Sequence, residues 1–241
     1  MPARPDRYRP VRLPLATMLL AGALLVLVAP VGDAGAAVAR DTWTLTIGIV
    51  DDPADSSPPP GPDVLQAAAI EATRIWARHD VRLRWVSAHG DLYAQPPCGI
   101  RLSVSNRPIH SQGGWTWPLG AIRFAGGREP RAEVVVSTAR LPEMTARIRL
   151  GDRPFSALPA KLRRTVMARI LGRTAAHEIG HYLLASPGHT DRGLMRATFA
   201  HGEFLDAGLW RYAIDPRERL LLARNPRLAG CRDGPPEVAA R

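Results

Sequence analysis

From Trp43 the chain alternates apolar and polar positions, Trp43-Thr44-Leu45-Thr46-Ile47, and continues through Gly48-Ile49-Val50. A period of two places one set of side chains on one face of an extended segment, so this stretch predicts a strand with one buried face. Asp51 to Pro62 contains the run Pro58-Pro59-Pro60-Gly61-Pro62, which excludes helix and central strand and reads as a surface loop. Asp63 is the expected N-cap of the helix that follows, whose stripe Val64, Ala67, Ala68, Ile70, Ala72 and Ile75 ends near His79-Asp80. Further strands are expected over 81–86, 100–105, 121–124 and 133–137, separated at the end by loops rich in Gly, Pro and Trp.

The period then lengthens. Leu162, Val166, Ile170, Ala176, Ile179 and Leu183 recur at helical spacing and predict a helix from Pro159 to Leu184, with proline in its first turn and Pro187-Gly188 as its stop. Gly172 inside it costs about 1 kcal/mol relative to Ala and marks a place where the helix is open to breaking in two. A last helix is expected over Asp215 to Ala223, and residues 234–241 read as a loose tail. Strands first and helices later give an α+β fold: a mixed, twisted sheet packed on helices, in one domain spanning 40–233.

Composition narrows the function. The 241 residues include 46% hydrophobic and 22% charged positions, enough for a real core and unlike a disordered or collagenous chain. The formal charge of +10 permits contact with anionic partners without naming one. It is spread along the chain; the modest cluster Lys161-Leu162-Arg163-Arg164 lies on a predicted helix, and no nucleic-acid-binding module is recognisable. Two cysteines exclude a zinc site of four thiolates, so any metal site must use histidine and carboxylate.

Arg4, Arg7, Arg9 and Arg12 precede the uncharged run Leu13 to Val31, followed by Ala34-Gly35-Ala36 and Ala37-Val38-Ala39. This is the pattern of a secretory signal over 1–39, with an uncleaved membrane anchor as the alternative. Cutting after Ala39 removes four arginines and two aspartates from the +10 total and leaves +8. Secreted, periplasmic or cell-surface residence would let Cys98 and Cys231 pair, closing a long loop.

The chemistry sits at the end of the long helix. His177-Glu178-Ile179-Gly180-His181 puts two imidazoles four residues apart, stacked on one helix face where both can bind one zinc ion. Glu178, a third of a turn away, can reach a water on the metal without being a ligand, as a general base for hydrolysis must. A tetrahedral site needs a third protein donor. His189 follows the turn at Pro187-Gly188 and is the first choice; His201, Asp191 and Glu203 are the others. Arg196 is a candidate for contact with a substrate carboxylate, Tyr182 and Tyr212 for an oxyanion, and Trp115 and Trp117 for a cleft wall or the core.

The segment HEIGHYLLASPGHTDRGLM resembles the zinc-binding consensus of the metzincin metallopeptidases, the clan that includes matrixins, astacins and archaemetzincins. The resemblance implies that His177, His181 and His189 are zinc ligands, Glu178 the catalytic base, and Met195 the methionine of a turn beneath the metal. It also implies peptide or protein substrates and a sheet whose edge strand lines the cleft above the active-site helix. The spacing departs from the clan's. Seven residues separate His181 from His189 where the clan has five, Leu184 stands in the place of the clan's glycine, and Gly188 abuts His189, so the helix is expected to run further before turning. Two readings stand beside the peptidase: an exported zinc-bearing binding protein without turnover, and a thermolysin-like (gluzincin) arrangement with Glu203 as third ligand.

Overall fold

The computed structural model describes residues 42–51, 60–87, 98–109, 119–127 and 129–232. The signal segment, most of the proline loop, Trp115, Trp117 and the tail lie outside them. Five strands, β1 (Trp43–Asp51), β2 (Val81–Ser87), β3 (Gly99–Ser105), β4 (Gly120–Ala125) and β5 (Glu129–Ser137), form one sheet in the order β2-β1-β3-β5-β4. All neighbours pair in parallel except β4, which runs antiparallel to β5 and is an edge. The fold is therefore α+β with a mostly parallel sheet.

The alternation expected in β1 is realised: Leu45 and Ile47 are fully buried, and Leu83, Ile100, Leu102, Val134 and Val136 join them on the same face. Each such side chain contributes roughly 1.5–3 kcal/mol when removed from water. Against this face pack α1 (Pro62–Ala77) and α3 (Ala160–Leu183); in chain order the short α2 (Leu141–Ala146) and the two-residue strands β6 (Arg149–Leu150) and β7 (Arg153–Pro154) come between β5 and α3. No periodicity signals these three, because each is shorter than one amphipathic repeat.

Several expectations need correction. α1 begins at Pro62 with Gly61 as N-cap, and Asp63 lies inside the first turn, where its carboxylate faces Arg164 at 3.2 Å. Proline at the first helical position forfeits no hydrogen bond, so the helix starts one turn position earlier than a side-chain cap would set it. α3 is continuous through Gly172. A Cβ there would lie 2.5 Å from the Ala68 carbonyl oxygen and 2.8 Å from the Glu71 Cβ, so the glycine is the point of closest approach between α1 and α3, not a break. The cluster Lys161 to Arg164 serves the start of α3, with Arg163 donating to the carbonyls of Ser156 and Leu158 at 3.1 and 2.7 Å.

The C-terminal part closes under the helices. Arg173, fully buried on α3, donates from Nε to Glu71 Oε1 at 2.8 Å and from its terminal nitrogens to Tyr212 Oη and to the carbonyls of Glu203 and Asp206, each at 2.7 Å. A buried guanidinium is tolerable only when its donors are matched this fully. The last helix, α4 (Pro216–Arg224), has a reciprocal capping box between Asp215 and Glu218. Beyond it Asn225 Nδ2 donates to the Leu183 carbonyl at 2.9 Å, satisfying an acceptor that the end of α3 leaves open. A disulfide joins Cys98 at the start of β3 to Cys231, and Trp43 of β1 forms a bridge with Arg232. No helix among the described residues is long and apolar enough to cross a membrane.

Candidate metal centre

The last two turns of α3 carry His177, Glu178 and His181, all buried, with 7, 7 and 5% of their surface exposed. The helix ends in a Schellman turn. Ser186 N–H donates to the His181 carbonyl and Ala185 N–H to that of Tyr182, both at 3.2 Å, and Ala185 takes the left-handed conformation at φ 47°. The reversal thus comes at Ala185, one position beyond where the clan's glycine falls and before Pro187-Gly188, which do not end the helix. Residues 186–188 then return the chain so that His189 faces the pair.

Donor atoms of His177, His181 and His189 lie within 4.8 Å of one another. The His189 ring stacks on His177 at 5.2 Å between centroids and meets His181 edge-on at 5.0 Å. His189 is exposed, which leaves the site open on that side. Glu203 is turned elsewhere: its carboxylate pairs with Arg196, whose guanidinium lies over Phe199 at 4.5 Å. His201 and Asp191 are likewise outside the donor group found among the described residues.

Backbone carbonyls fix the two buried rings. His177 Nδ1 donates to the Leu194 carbonyl at 2.8 Å and His181 Nδ1 to the Ser186 carbonyl at 2.7 Å. A carbonyl can only accept, so each ring keeps its proton on Nδ1 and turns a lone pair outward from Nε2. Those two Nε2 atoms are 3.1 Å apart. Burial holds both imidazoles down to about 4, with mutual repulsion and the nearby His189 adding for His177, so neither ring readily takes up the proton that would bridge them. Two lone pairs facing each other and a third imidazole alongside, also lowered by burial, fit one divalent ion; at roughly 2.0–2.1 Å from zinc, nitrogen donors sit about as far apart as this pair already does.

The turn after His189 supports the rings from below. Leu194, whose carbonyl holds His177, and Met195 are 0 and 1% exposed. Gly193 at φ 80° brings the chain so close to Ala213 that a Cβ would sit 2.3 Å from its carbonyl oxygen. Met195 fills the space under α3 where Gly180 has no side chain, its Sδ lying 2.4 Å from where a Cβ would stand.

Glu178 points the other way around the helix, against the edge strand. A Cβ on Gly120 of β4 would fall 2.6 Å from Glu178 Cγ and 2.8 Å from Oε1, so the missing side chain at 120 is the room that the carboxylate occupies. Burial alone pushes this carboxyl up to about 8; a cation bound nearby acts in the opposite sense and favours the carboxylate. Phe124, two pleats along β4, faces His181 edge-on at 6.3 Å. Gly120 and Phe124 carry no motif signal, and the carbonyls of Leu194 and Ser186 are backbone groups, so sequence reasoning finds none of the four. Tyr212 Oη accepts from Arg173 at 2.7 Å and lies 3.5 Å from Glu203 Oε2, and Tyr182 is buried with Arg227 over its ring.

No protein-family model matches this chain, and comparison with curated proteins finds no match.

Proposed function

We propose that the chain is an exported, zinc-dependent metallopeptidase of metzincin-like type. The observation that carries the reading is the convergence of His177, His181 and His189 with Glu178 held one residue from the first ligand and packed against an edge strand. The resemblance of HEIGHYLLASPGHTDRGLM to the clan's consensus agrees with it, as do the seat of Met195 beneath α3 and the antiparallel edge β4. The disulfide favours an oxidising compartment, in keeping with a signal over 1–39.

His177, His181 and His189 would hold the ion. Zinc bound there supplies Lewis acidity and lowers the pKa of a coordinated water toward 7. Glu178, as carboxylate, takes a proton from the attacking water and passes it to the nitrogen of the leaving amine; both transfers need the same oxygen within hydrogen-bond reach of the scissile bond. A peptide bound as an added antiparallel strand on the edge of β4 that is unpaired among the described residues would lie across α3 at this point, since Gly120 touches Glu178 and Phe124 touches His181.

The deciding measurement pairs zinc content with hydrolysis of a quenched peptide library. The expected result is one zinc per chain, activity abolished by chelator and restored by zinc, and Glu178→Gln inactive with its zinc retained. Zinc without any hydrolysis in the unmodified protein would instead identify a zinc-bearing binding protein. Retention of zinc in His189→Ala together with its loss in Glu203→Ala would assign the third ligand to Glu203.

A further inference from the structure

A cavity of about 1070 Å³ lies against β4, β5 and the turn after β3. Its walls include all of Ala121, Ile122, Arg123 and Phe124, residues from both faces of β4. Its β5 residues Arg131, Glu133 and Val135 alternate with the core-facing Val134 and Val136, so the hollow lies on the outer face of the sheet, and Phe124, which also lines it, meets His181 edge-on. Arg107, Arg123 and Arg131 also line it, and none has an ion-pair partner among the described residues. Among the described residues of the wall the one acid is Glu133, which lies 3.6 Å from Arg101, outside the hollow.

The three arginines are placed by the fold. Between the pairs Ile122↔Val134 and Phe124↔Pro130 the ladder slips, so that Arg123 alone opposes Arg131-Ala132-Glu133. Bulges of this kind re-aim side chains beside active sites. Arg107 is fixed on both sides: its N–H donates to Ser105 Oγ at 3.1 Å and its carbonyl accepts from Ser137 Oγ at 2.7 Å. Three like charges gathered around a hollow repel each other, and an anion entering it relieves that repulsion.

We infer that this hollow is a substrate subsite for acidic side chains, selecting peptides with Asp or Glu at alternate positions along the β4 edge. The inference rests on the peptidase reading for its substrate class. A strand added to that edge turns alternate side chains to opposite faces of the sheet. One set goes toward α3 and the metal centre. The other goes to the face of Arg123 and Arg131, where a guanidinium can meet a carboxylate with two parallel hydrogen bonds.

The test uses the full zinc-loaded chain and a pair of quenched peptides that differ only in Glu against Gln at alternate positions. The expected kcat/KM ratio favours the acidic peptide by about tenfold or more at low salt and shrinks as salt rises. In the double variant Arg123→Gln, Arg131→Gln the ratio falls toward one, mainly through KM. In Arg123→Glu, Arg131→Glu it reverses in favour of a lysine peptide, which a purely structural role of the arginines does not produce. Binding of the acidic peptide to zinc-loaded Glu178→Gln, read by fluorescence anisotropy, follows the same order without any turnover. A ratio near one in the unmodified protein, or one that survives both double variants, overturns the subsite. Absence of cleavage with arginine-dependent binding preserved overturns the peptidase reading and leaves the anionic subsite standing.

Discussion

Gly120→Ala isolates the position of the proposed general base, Glu178, from the proposed binding of the metal. The new Cβ would stand 2.6 Å from Glu178 Cγ, 2.7 Å from Thr174 Cγ2 and 2.8 Å from Glu178 Oε1, whereas ordinary carbon contacts begin near 3.5 Å, so about 1 Å of movement is required. Thr174 is β-branched and buried on α3, leaving it little freedom to yield. The carboxylate or the edge strand must therefore shift, and either change separates Glu178 from a peptide lying on β4. A misplacement of about 1 Å near reacting groups costs on the order of 100-fold in rate. The three atoms nearest that Cβ belong to Glu178 and Thr174 and none to a histidine, so zinc content is expected to stay at one per chain. Overpacking costs about 1–3 kcal/mol, offset by up to about 1 kcal/mol because alanine in a strand is less costly than glycine. The expected phenotype is a fold that melts a few degrees lower, holds its zinc and loses about 100-fold in kcat/KM. The same substitution added to Glu178→Gln should cost almost no further activity, since both act on one group. Full activity in a zinc-loaded Gly120→Ala protein would refute the placement of the base against β4.

Three further perturbations test the scaffold. Reducing the Cys98–Cys231 bridge, which closes a loop with a sequence separation of 133, should cost about 5 kcal/mol on the chain-entropy account; a calorimetric melting temperature that falls by less than about 3 °C under reductant contradicts it. His79, 3% exposed, is held down to about 4 by burial, with repulsion from Arg219 adding, while its Nε2 accepts from Ile214 N–H at 3.3 Å. The unfolded chain binds a proton near 6.5 that the folded chain refuses, so this stability is complete above about pH 6.5 and is lost as pH falls toward 4, to a ceiling of about 3 kcal/mol. His177 and His181 act in the same direction in metal-free protein; urea midpoints at pH 7 and 4.5 with chelator present should show a shallower pH dependence in His79→Gln, and an unchanged one would rule His79 out. Ala185→Gly should stabilise by about 1 kcal/mol by relieving the left-handed residue of the Schellman turn, and a lower melting temperature would contradict that account.

What the sequence discloses and what it withholds divide along one physical line. A period of two in β1 and of 3.6 in α3 comes from burial of one face, a demand repeated at every turn of the element, so it is legible residue by residue. The histidine pair His177 and His181 is legible for the same reason, because helix geometry alone makes positions four apart neighbours. His189 required a guess about a loop, and the structure supplies the guess through Ala185, an ordinary alanine in a glycine's conformation that carries no turn signal. Gly172 shows the opposite limit: glycine's low helix propensity pointed to a break, but the backbone of α1 passes 2.5 Å from where its Cβ would be, and packing decided the outcome. Gly120 and Gly180 belong to the same class. Each is defined by an atom it lacks against a partner far along the chain, Glu178 in one case and Met195 in the other, and no local pattern records a distant partner. The proposed chemistry depends on both kinds of information at once: the helix motif names the groups that act, and the glycines opposite them set where those groups can stand.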